Sequence, residues 1–119
     1  MEDTRIRLRL YFGKRLMFGP GKADLLQGID EDGSISAAGR RMKMSYKRAW
    51  MLVEEMNAAF GEPLVESTRG GPKGGGARLT ESGRAVLAHY RRLLETVAET
   101  GSAEIGGIRA RLKDVNDGK

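Results

Sequence analysis

From Arg5 to Phe12 apolar and basic residues take turns: Ile6, Leu8 and Leu10 are interleaved with Arg5, Arg7 and Arg9. A period of two predicts a half-buried strand, with aliphatics inward and guanidinium groups toward water. Such arginines serve either as phosphate contacts or as ordinary protection of an edge strand. Gly19-Pro20-Gly21 marks a turn. A helix is expected from Lys22 to about Asp32, with Leu25, Leu26 and Ile29 facing the core. It ends in Asp30-Glu31-Asp32, where carboxylates oppose the helix dipole and are expected to point away from any polyanion.

Between Gly33 and Phe60 the pattern predicts two helices joined by a tight turn. Ser36 is expected to cap a short helix running to about Arg41, with a break at Met42–Met44. Ser45 is expected to cap a longer one through about Phe60, its hydroxyl accepting from a first-turn amide. Ala49, Val53, Met56 and Phe60 recur at spacings of four, three and four, so they share a buried face flanked by Leu52. Tyr46, Lys47, Arg48 and Met51 lie off that face. Trp50 borders it and is expected to be a buried anchor rather than a contact residue. A short helix, a turn and a longer helix with a cationic first turn is the pattern of a helix-turn-helix.

Gly61-Glu62-Pro63 stops the second helix. Short strands at Leu64–Ser67 and Ala77–Leu79 then flank Arg69-Gly70-Gly71-Pro72-Lys73-Gly74-Gly75-Gly76, which predicts a β-hairpin wing with a flexible tip. The rival reading, a phosphate-binding P-loop, needs Lys and Ser or Thr after the last glycine, whereas Gly76 is followed by Ala77-Arg78-Leu79. Thr80 can cap a last long helix, with Glu81 in its first turn. Along it Val86, Leu87, Tyr90, Leu93, Leu94 and Val97 form a stripe wider than one contact face needs. Burying both sides calls for a second copy of the chain, with Val86, Leu87, Tyr90, Leu94 and Val97 as interface residues. Ile105, Ile108, Leu112 and Val115 permit a short amphipathic helix in the charged tail. The fold class is therefore mainly α with small β: a winged helix-turn-helix with an N-terminal strand and a long dimerisation helix at about 80–99. Residues 1–100 form the domain and 101–119 a tail or short helix.

Composition narrows the chemistry. The 119 residues suit one domain with one core, and 39% are hydrophobic. No apolar run spans a membrane, and the acidic N-terminus lacks the core of a secretory signal, so a cytoplasmic protein is expected. With no cysteine and a single histidine, His89, thiolate chemistry and histidine-rich metal sites are excluded. No cofactor and no catalytic constellation are expected. The net charge of +5 suggests an anionic partner, nucleic acid first. Five basic residues and no acidic one fall between Gly33 and Val53, and Arg69, Lys73 and Arg78 lie in a second acid-free interval.

Several of these blocks together (Gly-Ser-Ile-Ser from Gly33, Met-Ser-Tyr-Lys-Arg-Ala-Trp from Met44, Glu-Met-Asn from Glu55, and Leu64 through the wing to Thr80) resemble the N-terminal domain of the ModE family. These are molybdate-responsive bacterial transcription regulators whose winged helix is related to that of LysR-type regulators. The resemblance covers roughly residues 5 to 98. It implies a homodimer whose second helix-turn-helix helix enters the major groove, whose wing lies on the backbone or minor groove, and whose long helix links the dimer. Full-length members carry C-terminal molybdate-binding domains that about twenty further residues cannot supply. A short form is expected, its effector unknown or provided by a separate sensor protein.

The expected role is sequence-specific binding of double-stranded DNA at an inverted repeat. Lys47 and Arg48, with Ser45, would reach base edges from the helix start. Tyr46 and Met51 offer apolar contact. Arg40, Arg41 and Lys43, and Arg69, Lys73 and Arg78 in the wing, would meet phosphates, which position without specifying. The alternatives are a winged-helix protein-docking module, which should bind DNA without salt dependence or not at all, and an architectural DNA-binding protein without operator preference.

Overall fold

A computed structural model of the chain describes residues 4–68 and 76–113. Two short strands, β1 (Leu10–Phe12) and β2 (Leu16–Phe18), precede three helices: α1 (Pro20–Asp32), α2 (Ile35–Arg41) and α3 (Tyr46–Ala59). A second strand pair, β3 (Val65–Thr68) and β4 (Gly76–Leu79), leads into α4 (Glu81–Thr100) and the short α5 (Ser102–Arg109). Both pairs are antiparallel, with Leu10 opposite Phe18 in the first and Val65 opposite Leu79 in the second. The winged helix-turn-helix expected from the sequence is the fold observed.

The N-terminal strand is much shorter than the alternation suggests. Only Leu10–Phe12 is paired; residues 4–9 have no ladder partner among the described residues. The alternation still marks orientation, since Ile6 and Leu8 are half-buried and Arg5, Arg7 and Arg9 are exposed. What holds this segment is α4: the Tyr90 hydroxyl donates to the Leu8 carbonyl at 2.6 Å. Strand β2 completes the hairpin through a turn at Gly13, φ 57°. Its three apolar residues do not alternate, so periodicity could not announce it.

Helix α1 starts at Pro20 rather than Lys22. Proline at the first helical position lacks an amide that would be unpaired anyway, and its fixed φ fits. Gly33 ends the helix in the left-handed region, φ 70°, its amide donating to Ile29 O at 2.8 Å. The cap of α2 is Ser34, not Ser36: Ser34 Oγ accepts from Ala37 N at 3.0 Å, while Ser36 Oγ accepts from Arg40. Ser45 caps α3, accepting from Arg48 N at 3.1 Å, and Thr80 caps α4, accepting from Gly83 N.

The core gathers where these elements meet. Leu25, Leu26 and Ile29 of α1, Ala38 of α2, and Ala49, Val53 and Met56 of α3 are buried, as are Leu64, Val65, Ala77 and Leu79 from the wing. Phe18 and Tyr90 pack edge to face, centroids 5.2 Å apart, and tie the first hairpin to α4. Gly83 lets the start of α4 press on the wing, because an added Cβ would lie 2.1 Å from the Leu64 carbonyl oxygen. Lys22 is a buried charge that the sequence did not reveal; its ammonium lies 3.4 Å from Glu55 of α3.

Candidate nucleic-acid interface

Helices α2 and α3 approach closely because Gly39 faces Ala49; a Cβ on Gly39 would lie 3.0 Å from that methyl. The connecting turn is closed by Met44 N donating to Gly39 O at 2.9 Å and Lys43 N donating to Arg40 O at 3.0 Å. Lys43, which is exposed, sits at φ 60°, which costs a non-glycine residue about 1 kcal/mol. This turn fixes where the first turn of α3 begins. Ser45, Tyr46, Lys47, Arg48 and Met51 are all exposed. Among the described residues, Arg40, Lys43, Lys47 and Arg48 form no ion pair, so their charge is available to a ligand.

Two of the expected phosphate contacts are engaged within the chain. Arg41 reaches back from α2 to the acidic end of α1, contacting Glu31 and Asp32 at 2.5 Å each. That bond, assisted by the Gln27 amide, holds the Glu31 carboxyl below its ordinary range, and the same partners raise Arg41. The acidic run thus staples α1 to α2. Arg78 pairs with Glu66 across the wing at 2.7 Å. Arg69, Lys73 and the glycine-rich tip lie outside the described residues.

Trp50 departs from expectation. Rather than a buried anchor, it is 43% exposed. It lines a groove of about 330 Å³ with Ser34, Ser36, Tyr46, Ser67 and Thr68, between the starts of α2 and α3 and the outer ends of β3 and β4. Asn57, part of the Glu-Met-Asn block but given no role from the sequence, holds α3 and β3 together. Its Oδ1 accepts from Leu64 N at 2.8 Å and Val65 N at 3.2 Å, and its Nδ2 donates to Val65 O at 3.0 Å. The available signal was a polar residue beside Met56, on the rim of the apolar stripe.

Along α4, Leu87 and Tyr90 are buried in the chain's own core, whereas Val86, Leu94 and Val97 are half-buried. Val86, His89 and Leu93 also line an apolar cavity with Leu10, Phe12 and Phe18. Beyond Gly101, Ile105 is half-buried and Ile108 and Leu112 are exposed. No described helix is long and apolar enough to cross a membrane.

Residues 23–84 match the family of bacterial regulatory helix-turn-helix proteins, lysR family. The chain is 45% identical over 93 residues to the molybdenum transport protein ModE of Azotobacter vinelandii, covering 78% of this chain and 28% of that protein. It is 38% identical over 98 residues to the molybdenum-pterin-binding protein MopA of Rhodobacter capsulatus, covering 82% and 37%. It is also 38% identical over 93 residues to the DNA-binding transcriptional dual regulator ModE of Escherichia coli, covering 78% and 36%. The chain therefore spans roughly a third of the length of these relatives. Among solved structures it resembles the CbnR DNA-binding domain in complex with DNA, with TM-score 0.56 and 25% identity over 74% of this chain and 95% of that one.

Proposed function

Because the chain belongs to the lysR family of bacterial regulatory helix-turn-helix proteins, we propose that it is a cytoplasmic transcriptional regulator that binds double-stranded DNA as a homodimer at an inverted repeat. The observation that carries this reading is the first turn of α3, where Lys47 and Arg48 are exposed and unpaired among the described residues at the start of the helix that this motif presents. Lys47 and Arg48 read bases, with Ser45, Tyr46 and Met51 beside them. Arg40 and Lys43 take phosphates, and the wing residues Arg69 and Lys73 do so from the other side. Arg41 and Arg78 contribute less, since each would have to leave a carboxylate.

The dimer forms along α4 through Val86, Leu93, Leu94 and Val97, because Leu87 and Tyr90 have spent their surface on their own domain. Its likeness to a molybdenum transport protein ModE and a molybdenum-pterin-binding protein MopA directs the regulatory role toward molybdenum-related genes. Selection from a randomised duplex pool, with and without molybdate, tests the proposal. An inverted-repeat motif supports an operator-binding dimer, and a motif that changes with molybdate adds an effector. Recovery of no motif contradicts operator binding.

A further inference from the structure

A helix of about 10–12 Å diameter fills a major groove about 12 Å wide, so each flank of the inserted helix must meet a backbone strand. On α3 the flank toward the wing carries Tyr46 and Trp50, four residues apart and on one face. Both residues are exposed, Tyr46 55% and Trp50 43%. Both open onto the groove beside the outer ends of β3 and β4.

The chemistry of that groove differs from that of three other clefts among the described residues. The cleft beside the start of α4 is lined by Glu62, Glu66 and Glu81, and the one between α1 and α4 sets Asp24 beside Arg7 and Arg91. The cavity under the first hairpin is apolar. Among the described residues, the groove at Trp50 has no carboxylate. It offers the hydroxyls of Ser34, Ser36, Ser67, Thr68 and Tyr46 and the indole of Trp50. Hydroxyls can donate and the indole N–H can only donate, so the lining suits an acceptor-rich anion. Arg40 stands at the rim, its Nη1 2.8 Å from Ser36 Oγ, and brings a positive charge to the entrance.

We infer that this groove seats one strand of the DNA sugar–phosphate backbone and that Trp50 is a backbone contact. The inference rests on the DNA-binding reading above and names which part of the ligand lies where. Phosphate oxygens accept from the hydroxyls and from indole Nε1, while the apolar edge of a deoxyribose lies against the aromatic rings. Such contacts hold register and carry no sequence preference of their own.

Trp50 is the single tryptophan of the chain, so its emission reports directly on this groove. A duplex carrying the selected motif and a fluorescent end label would be titrated, with label anisotropy and tryptophan emission read in parallel. Both should change with one midpoint, and acrylamide should quench Trp50 less in the complex. Trp50→Phe, which keeps an aromatic ring and removes the donor, should weaken binding about three- to tenfold, the loss of one hydrogen bond, on selected and random duplex alike. Ser67→Ala, at an exposed site, should do the same to a smaller degree. Binding by anisotropy with unchanged emission and unchanged quenching would overturn the inference and leave DNA binding intact. A Trp50→Phe variant with altered base preference would overturn it in favour of base contact. No anisotropy change with any duplex would remove the DNA-binding reading, and this inference with it.

Discussion

Asn57 is where one side chain does most to set the geometry. It answers three backbone groups at the start of β3, so the wing keeps a fixed position against α3. Asn57→Ala leaves those groups without their partner, and chemical denaturation should show a loss of about 2–4 kcal/mol. Gly83 makes a second residue-scale case, in which local propensity and packing disagree. Glycine inside a helix costs about 1 kcal/mol against alanine, so propensity alone favours Gly83→Ala. The Leu64 carbonyl occupies the space that a methyl would need, and Gly83→Ala should instead lower the melting temperature. Tyr90 supplies a pH dependence. Burial, then Asp24, raise its pKa, against the opposing influence of Arg7. A folded-state value above the unfolded one keeps the proton on the native chain after the unfolded chain has lost it. The stability is therefore complete below about pH 10, the unfolded tyrosine value, and declines as pH rises past it. Thermal melts of Tyr90→Phe should show a shallower alkaline decline than the unaltered protein; an identical decline would contradict this assignment.

Among the elements, the helices were legible because each carries a start signal and a stripe. Ser45 before Tyr46, Thr80 before Glu81, and the Ala49–Val53–Met56 spacing all mark structure that is observed. What the chain could not announce depends on contacts between elements. Ser34 and Ser36 are both chemically able to cap α2, and the choice falls to Ser34 because α1 ends at Gly33. The acidic end of α1 gains its purpose only when α2 folds back and delivers Arg41. Periodicity placed Trp50 at the edge of the buried face, but how far it is covered is decided by where β3 and β4 lie, and beside them it stays 43% exposed. The cap at the start of α3 can be tested at this scale. Ser45→Ala removes the acceptor for Arg48 N and should cost about 0.5–2 kcal/mol, with a parallel loss of DNA affinity, since the first turn holds Lys47 and Arg48. Lost stability with unchanged affinity would argue against that turn as the reading element.

For the whole molecule, the proposed function places recognition and association on different elements. Arg40, Lys43, Lys47 and Arg48, without an ion pair among the described residues, stand on α2, the turn and the start of α3, whereas the half-buried aliphatics Val86, Leu93, Leu94 and Val97 lie along α4. Substitution should separate the two functions. Val97→Asp is expected to yield a folded monomer by sedimentation at tens of micromolar, with weak binding to a half-site preserved; a dimer that persists would move the interface elsewhere. Whether α3 reads sequence through Arg48 is decided by comparing Arg48→Ala with the unaltered chain on the selected duplex and on a scrambled one of equal length. Loss of about 1–3 kcal/mol of discrimination, with little change on the scrambled duplex, is the expected result. An equal fall on both would contradict it and leave Arg48 as a phosphate contact.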